Sequence, residues 1–262
     1  MGDAPINTFV CLKWGAGYPV ADTNILFRAL CDLMHGPFRF ACITDDPTGL
    51  DAGIIALPLP EFTLPRARWT PGMWPKLAAF APDLFAEGTP VMMLDVDLLV
   101  LRDLSPMFDH IRARGGLHII RDWNDTHERW FPRLFPAKRR SNSSAVGFIA
   151  GQQEHLWHRY RADEQAARAA HFNDQNFIHE HAIDRQHWPE GWVHSFKKSL
   201  AWHMPVNLVR RVPKPGGYLV AFHGRPELAE VAGAEGARWS GGEKWGLRPV
   251  HWVKQYWQRY IP

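Results

Sequence analysis

The chain has 262 residues, 46% of them hydrophobic and 22% charged, with 30 basic and 27 acidic side chains for a formal net charge of +3. That length suits one large α/β domain or two small ones with a sizeable core, and so small an excess of charge is no sign of a nucleic-acid partner. No apolar run approaches the roughly 18 residues that a membrane-spanning helix needs.

The N-terminus has no basic segment leading into an apolar stretch, so no signal peptide is expected. The three cysteines (Cys11, Cys31 and Cys42) lie in apolar segments without metal-ligand spacing. Reduced thiols in a cytoplasmic protein are the expectation. Thirteen tryptophans are many; they line carbohydrate-facing or interfacial surfaces as well as cores.

In chain order, residues 8–13 read as a first strand, followed by a glycine-rich loop at 14–19. A helix over 21–34 carries Ile25, Leu26, Ala29, Leu30 and Leu33 on one face. A strand at 38–44 ends at Asp45-Asp46-Pro47, and a third strand covers 54–57. This order predicts parallel strands with a right-handed crossover. After a proline-rich loop at 58–71, a helix over 73–80 holds Lys76 among apolar neighbours.

Residues 89–102, TPVMMLDVDLLVLR, read as a strand buried on both faces. Side chains two apart on a strand point the same way, so Asp95 and Asp97 are placed to converge on one divalent cation, with Mg²⁺ or Mn²⁺ suited to hard oxygen ligands. A strand-end pair facing solvent or capping a turn is the competing explanation, and an isolated D-x-D does not choose between them.

Further on, a helix over 104–114 and a strand at 117–120 lead to Arg121-Asp122-Trp123. A long loop at 124–142, without periodicity, is of the kind that is usually functional or mobile. Then come a strand at 144–150, a helix over 154–170, a helix opened by HFNDQN at 171–176, a strand at 218–222, a glycine-rich loop at 233–246 and a terminal helix over 251–260. With no internal repeat and no linker, one domain over 1–262 is expected.

Four stretches, taken in order, carry a family resemblance: the first strand and loop with TDD at 44–46, LDVDLLVLRDL at 94–104, NDQNF at 173–177, and FHGRP at 222–226. Together they resemble a nucleotide-sugar glycosyltransferase of the GT-A fold, in the glycogenin-like and bacterial lipopolysaccharide galactosyltransferase group. The resemblance implies an α/β domain with a mixed, mostly parallel sheet flanked by helices. It implies a metal-dependent hexosyltransferase that moves a sugar from a nucleoside-diphosphate donor, a UDP-sugar, to a cell-surface glycan or lipid-linked acceptor.

By the same resemblance, Mn²⁺ or Mg²⁺ is held by Asp95, Asp97 and His223. Val96 and Lys76 belong to the donor-binding set, and Arg225 takes the phosphate-binding place of a family lysine, because the family's longer motif is collapsed here to HGRP. Trp14 and Asp45 are expected near the base and ribose, with Tyr18 as an alternative stacking partner. Asp174 and Gln175 fall where related retaining enzymes present an acid and an amide near the anomeric carbon. Asp122 is the carboxylate expected to meet the acceptor or act as base, and Asn142, Ser143 and Ser144 begin a strand facing the donor sugar.

Each residue also has a plainer explanation. Asp45 and Asp46 build a turn before proline, Asn173 or Asp174 caps a helix, Lys76 sits on a solvated face, and His223 is a core histidine bonded to backbone. A sugar nucleotidyltransferase would place a basic glycine-rich loop after the first strand, which Trp14-Gly15-Ala16-Gly17 matches poorly. A metal-dependent hydrolase would need a second acidic pair or a compact His/Asp motif. A carbohydrate-binding protein without catalysis explains the tryptophans but not paired carboxylates. The terminal helix, with Trp252, Trp257 and Tyr260 beside Lys254 and Arg259, fits either peripheral membrane contact or packing of its aromatic face onto the domain.

Overall fold

A computed structural model describes residues 5–70, 72–123, 133–134, 140–203, 205–241 and 244–261. Most of the loop expected at 124–142 lies outside the described residues. Strand β1 (Asn7–Lys13), helix α1 (Val20–Leu33), β2 (Phe38–Thr44) and β3 (Ile55–Pro58) follow the expected β-α-β order. With β4 (Pro90–Leu94), β6 (Leu117–Arg121), β7 (Ser141–Ile149) and β8 (Arg185–His187) they form a seven-stranded sheet of order β3-β2-β1-β4-β7-β6-β8. β7 runs antiparallel to both its neighbours, while the other pairs are parallel.

The unbroken apolar runs of β1 and β4 have a direct cause: both faces of the sheet are covered. Along β1, Phe9 and Cys11 enter one core with Ile25, Leu26 and Leu30 of α1, while Val10 and Leu12 enter a second core on the other face. β4 divides in the same way, Met92 and Leu94 against Val91 and Met93. A third core joins Leu99, Val220, Phe222 and Val253 under a small sheet of β5 (Leu98–Val100), β10 (Leu219–Ala221) and β9 (Val193–Ser195).

Several expected elements differ. The run at 89–102 is two strands in two sheets: β4 stops at Leu94, Asp95 to Leu98 form a turn with Leu98 N donating to Asp95 O at 3.3 Å, and β5 pairs with β10. Two carboxylates in a buried strand would face apolar cores, so the chain leaves the sheet at the first of them. The segment Trp74–Phe80 is a 3₁₀ helix, with Pro75 in its first turn and Met73 before it at φ 47°.

The helix expected over 154–170 is divided into α3 (Glu154–Ala162) and α4 (Glu164–Ala170) by Asp163, whose side chain caps the second by accepting from Ala166 N. The strand expected from 144 starts at Ser141, and the glycine-rich loop at 233–246 contains a short hairpin, β11 (Trp239–Gly241) with β12 (Lys244–Gly246). In between lie α2 (Ser105–Arg114), α5 (Asp174–His181), α6 (Val206–Val209) and α7 (Leu228–Ala232).

The terminal helix α8 (His251–Tyr260) packs its aromatic face onto the domain. Val253 and Tyr260 are buried, the Tyr256 hydroxyl accepts from Val100 N at 3.2 Å, and Trp252 Nε1 donates to Val212 O at 3.2 Å. Among the described residues no helix is long and apolar enough to cross a membrane.

On β6, His118 is fully buried, with Nε2 3.0 Å from Gly115 O and Nδ1 unpartnered among the described residues. Burial, and after it His110, pushes its pKa down to about 4. The unfolded chain takes up this proton near pH 6.5, so the contribution to stability is complete above that pH and is lost as pH falls toward 4. Calorimetry is expected to show a drop in Tm between pH 7 and pH 5 that is smaller in His118→Gln, by the equivalent of about 1–2 kcal/mol.

Candidate active site

The site is built where β4 ends. Asp95 N donates to Ser144 O of β7 at 2.9 Å, which fixes the start of the D-x-D turn against the neighbouring strand. The Lys76 ammonium, buried by the 3₁₀ segment, lies 2.6 Å from Asp95 Oδ1 and 2.8 Å from Oδ2, and 3.4 Å from Ser143 Oγ. Ser143 Oγ in turn donates to Asp174 Oδ2 at 2.8 Å. A lysine, two carboxylates and a serine from four separate segments therefore form one chain of charge-assisted hydrogen bonds, buried except at the half-buried Asp95.

Asp174 occupies the first turn of α5, which Asn173 caps by accepting from Asn176 N at 2.9 Å. Asp174 N donates to Gly72 O at 2.9 Å. Gly72 has φ 116°, and a Cβ there would lie 2.7 Å from Trp74 Nε1 and 3.0 Å from the Asn173 backbone. Only glycine lets the Lys76 segment approach α5 this closely.

Burial would depress Lys76, but Asp95, Asp174 and Asp97 outweigh it and hold its pKa above the ordinary lysine value. Burial raises Asp174 to about 6, Lys76 and Ser143 opposing it. Asp97 is raised to about 7 by burial and then by the Asp95 charge, with Lys76 only partly compensating. Its Oδ1 is a buried acceptor without a partner among the described residues. Asp97 also lines a cleft of about 390 Å³ with Tyr18, Asp22, Gly224, Glu227 and Glu235. Burial, and after it Glu227, lifts Asp22 to about 6. A carboxylate oxygen with nothing to bond, in an acidic cleft, fits a cation.

Asp97 O accepts from Phe222 N at 3.2 Å, which ties the turn to the residue before His223. His223 stacks on Trp123 with centroids 5.2 Å apart, and its Nε2 is 2.8 Å from Ser195 Oγ. Burial, and after it Lys197 and Lys198, lowers its pKa to about 3, so the imidazole is neutral and able to ligate. The donor atoms of Asp95, Asp97 and His223 do not all fall within 4.8 Å of one another.

The other expected residues are less uniform. Val96 is buried in the core, so its side chain is not open to a ligand. Asp45 pairs with Arg66 at 2.6 Å and accepts from Gly15 N, bracing the loop after β1, where Trp14 packs edge-on against Trp69. Gln175 is half-buried beside Asp174. Arg225 is largely exposed and 3.8 Å from Glu230. The cations next to His223 are Lys197 and Lys198, with Lys197 Nζ 3.2 Å from where a Gly224 Cβ would stand. Neither was singled out in the sequence, where the KK pair marks no motif.

Asp122 follows β6, 3.7 Å from Lys198 Nζ. It lines a larger cavity of about 780 Å³ with Trp123, His187, Trp188, His194 and Lys198. Trp123 thus borders this cavity while stacking on His223, whose neighbours Phe222 and Gly224 line the smaller cleft.

The sequence matches no protein-family model and no curated protein. In structure the chain is similar to the galactosyltransferase LgtC in complex with donor and acceptor sugar analogs, with TM-score 0.53 and 13% identity over 84% of this chain and 88% of that one. An active-site mutant of LgtC aligns with TM-score 0.54 and 12% identity over 84% and 89% of the two chains. Mouse xyloside xylosyltransferase 1 in its apo form aligns with TM-score 0.53 and 12% identity over 83% and 98%. The chain has the GT-A fold of these glycosyltransferases.

Removing the ammonium while leaving its partners leaves buried carboxylates uncompensated. Lys76→Met is expected to lose about 3–5 kcal/mol in urea unfolding, and Lys76→Met/Asp95→Asn to recover part of that loss in a double-mutant cycle.

Proposed function

We propose that the chain is a metal-dependent glycosyltransferase, working as a single domain, that transfers a sugar from a nucleoside diphosphate, with UDP the favoured carrier, to a glycan acceptor. The observation that carries this reading is the unpartnered Asp97 oxygen beside the Lys76–Asp95–Ser143–Asp174 chain, on a fold shared with sugar transferases.

Asp97 would hold Mn²⁺ or Mg²⁺, with Asp95 and His223 the further ligands that the family resemblance expects, once the donor atoms of the three, which do not all lie within 4.8 Å of one another, close on the ion. Such an ion supplies charge stabilisation to a diphosphate leaving group and orients it. Lys76 pins the Asp95 carboxylate through both of its oxygens. Lys197 and Lys198 add positive charge on the His223 side, where a diphosphate brings its own negative charge. Asp174, fixed by Ser143 and the turn of α5, is positioned to meet donor hydroxyls and the positive charge that grows on the sugar ring, with Gln175 next to it.

The larger cavity is assigned to the acceptor. Trp123 and Trp188 offer flat apolar faces suited to sugar rings, and Asp122 offers a carboxylate to a hydroxyl. Trp14 and the Asp45-braced loop at the end of β1 are the assigned border of the base and ribose. Retention at the anomeric carbon is the expectation that the family resemblance carries.

Thermal shift separates this reading from a lectin or scaffold. UDP and Mn²⁺ together are expected to raise Tm by several degrees, simple sugars alone not at all, and EDTA to abolish the effect. Asp97→Asn should remove the joint stabilisation and slow UDP-sugar hydrolysis at least about a hundredfold, without lowering the Tm of the free protein. Stabilisation by sugars alone, or an unchanged response in Asp97→Asn, would contradict the assignment. For the acceptor cavity, Trp123→Ala is expected to raise the acceptor KM with little effect on donor hydrolysis.

A further inference from the structure

Away from the D-x-D turn, the segment entering α5 and its last turn come together through three side chains. His171 Nε2 and His181 Nε2 face each other at 3.2 Å, and the Glu180 carboxylate lies 3.7 Å from His171 Nδ1. One ligating atom from each of the three falls within 4.8 Å of the others. Two imidazole nitrogens at 2.0–2.1 Å from a tetrahedral zinc stand about 3.3–3.4 Å apart, which the observed separation matches. We propose that His171, Glu180 and His181 form a second metal site, for zinc or a similar borderline divalent ion, that clips α5 to the segment before it.

The imidazoles are held in place without an ion. The Phe177 ring, fully buried, meets His171 at 5.3 Å and His181 at 4.7 Å, both edge-on. From α3, His155 Nε2 lies 2.9 Å from His181 O and fixes the end of the helix. His171 is nearly buried, whereas Glu180 is 64% exposed, so an ion has a route in and a carboxylate free to swing onto it. Burial, and after it Arg159, lowers the pKa of His181, which favours the neutral ring that a metal requires. A cation at the C-terminal end of α5 also meets the negative end of the helix dipole. Imidazole and carboxylate ligands suit zinc better than the all-oxygen preference of Mg²⁺. The remaining position would be taken by water.

The site is chemically separate from the D-x-D turn, and it stands whether or not the chain transfers sugars. Its assigned role is structural: α5 carries Asp174 at its start and the clip at its end.

Tag-free protein, stripped with EDTA and passed into metal-free buffer, is titrated with zinc chloride by calorimetry in an Asp97→Asn background, which disables the candidate metal site at the D-x-D turn by replacing the carboxylate whose oxygen is unpartnered among the described residues. One equivalent of zinc is expected to bind. His171→Asn and His181→Asn should each weaken binding at least about tenfold, and Glu180→Gln less, with circular dichroism confirming that the variants are folded. Should either histidine variant fail to fold, diethyl pyrocarbonate labelling of the Asp97→Asn protein read by mass spectrometry replaces it: zinc should protect His171 and His181 and leave His35, which is exposed, unprotected. No zinc binding in the Asp97→Asn protein, binding untouched by the histidine variants, or labelling of the two histidines unchanged by zinc would overturn the proposal.

Discussion

The buried ammonium of Lys76 is the constraint on which the rest of the site depends. A lysine this deep is costly to ionise unless carboxylates meet it, and it sits within hydrogen-bonding distance of Asp95 while sharing Ser143 with Asp174. One positive charge then stands against three acidic groups, counting Asp97. Burial is the first cause that lifts Asp97 to about 7 and Asp174 to about 6, and the Asp95 charge adds to both while Lys76 opposes it. The pocket thus holds more acidic than basic groups, as the proposed cation site requires.

The sheet makes that arrangement possible. Parallel strands β1 and β4 bring the loops after Lys13 and Leu94 to the same edge, where open α/β sheets bind ligands. The antiparallel insertion of β7 pairs Leu94 with Ala145 and so lays Ser143 and Ser144 beside the D-x-D turn. Because the chain then crosses into the small sheet, Asp97 is anchored to Phe222, and His223 arrives from far along the sequence. Each crossing brings in one chemical group, and no two neighbours in sequence supply the whole set.

Elements governed by local periodicity were legible in the sequence. The α1 stripe, the two-faced apolar runs of β1 and β4, and the Asn173 cap all stand within a residue or two of where pattern places them. The D-x-D pair was legible as chemistry but not as geometry: apolar residues on both sides of it hid the turn, because strands of two different sheets abut there. The 3₁₀ form of the Lys76 segment and the break at Asp163 are decided by a buried proline and by a cap, both weak signals in an apolar or alanine-rich run. Asp45 shows the limit from the other side. Turn chemistry and ligand binding read alike in sequence, and only the structure reveals the Arg66 partner. Lys197, Lys198 and the His171–His181 pair reach their neighbours through tertiary contacts that no spacing encodes.

The most direct test of the charge shortfall is a crystal structure with Mn²⁺ and UDP, read by anomalous scattering from manganese. The expected result is a peak at the Asp97 carboxylate, with diphosphate oxygens on the ion and the Lys76–Asp95 pair still in place. Diphosphate bound elsewhere, or no peak at Asp97 with the nucleotide present, would contradict it.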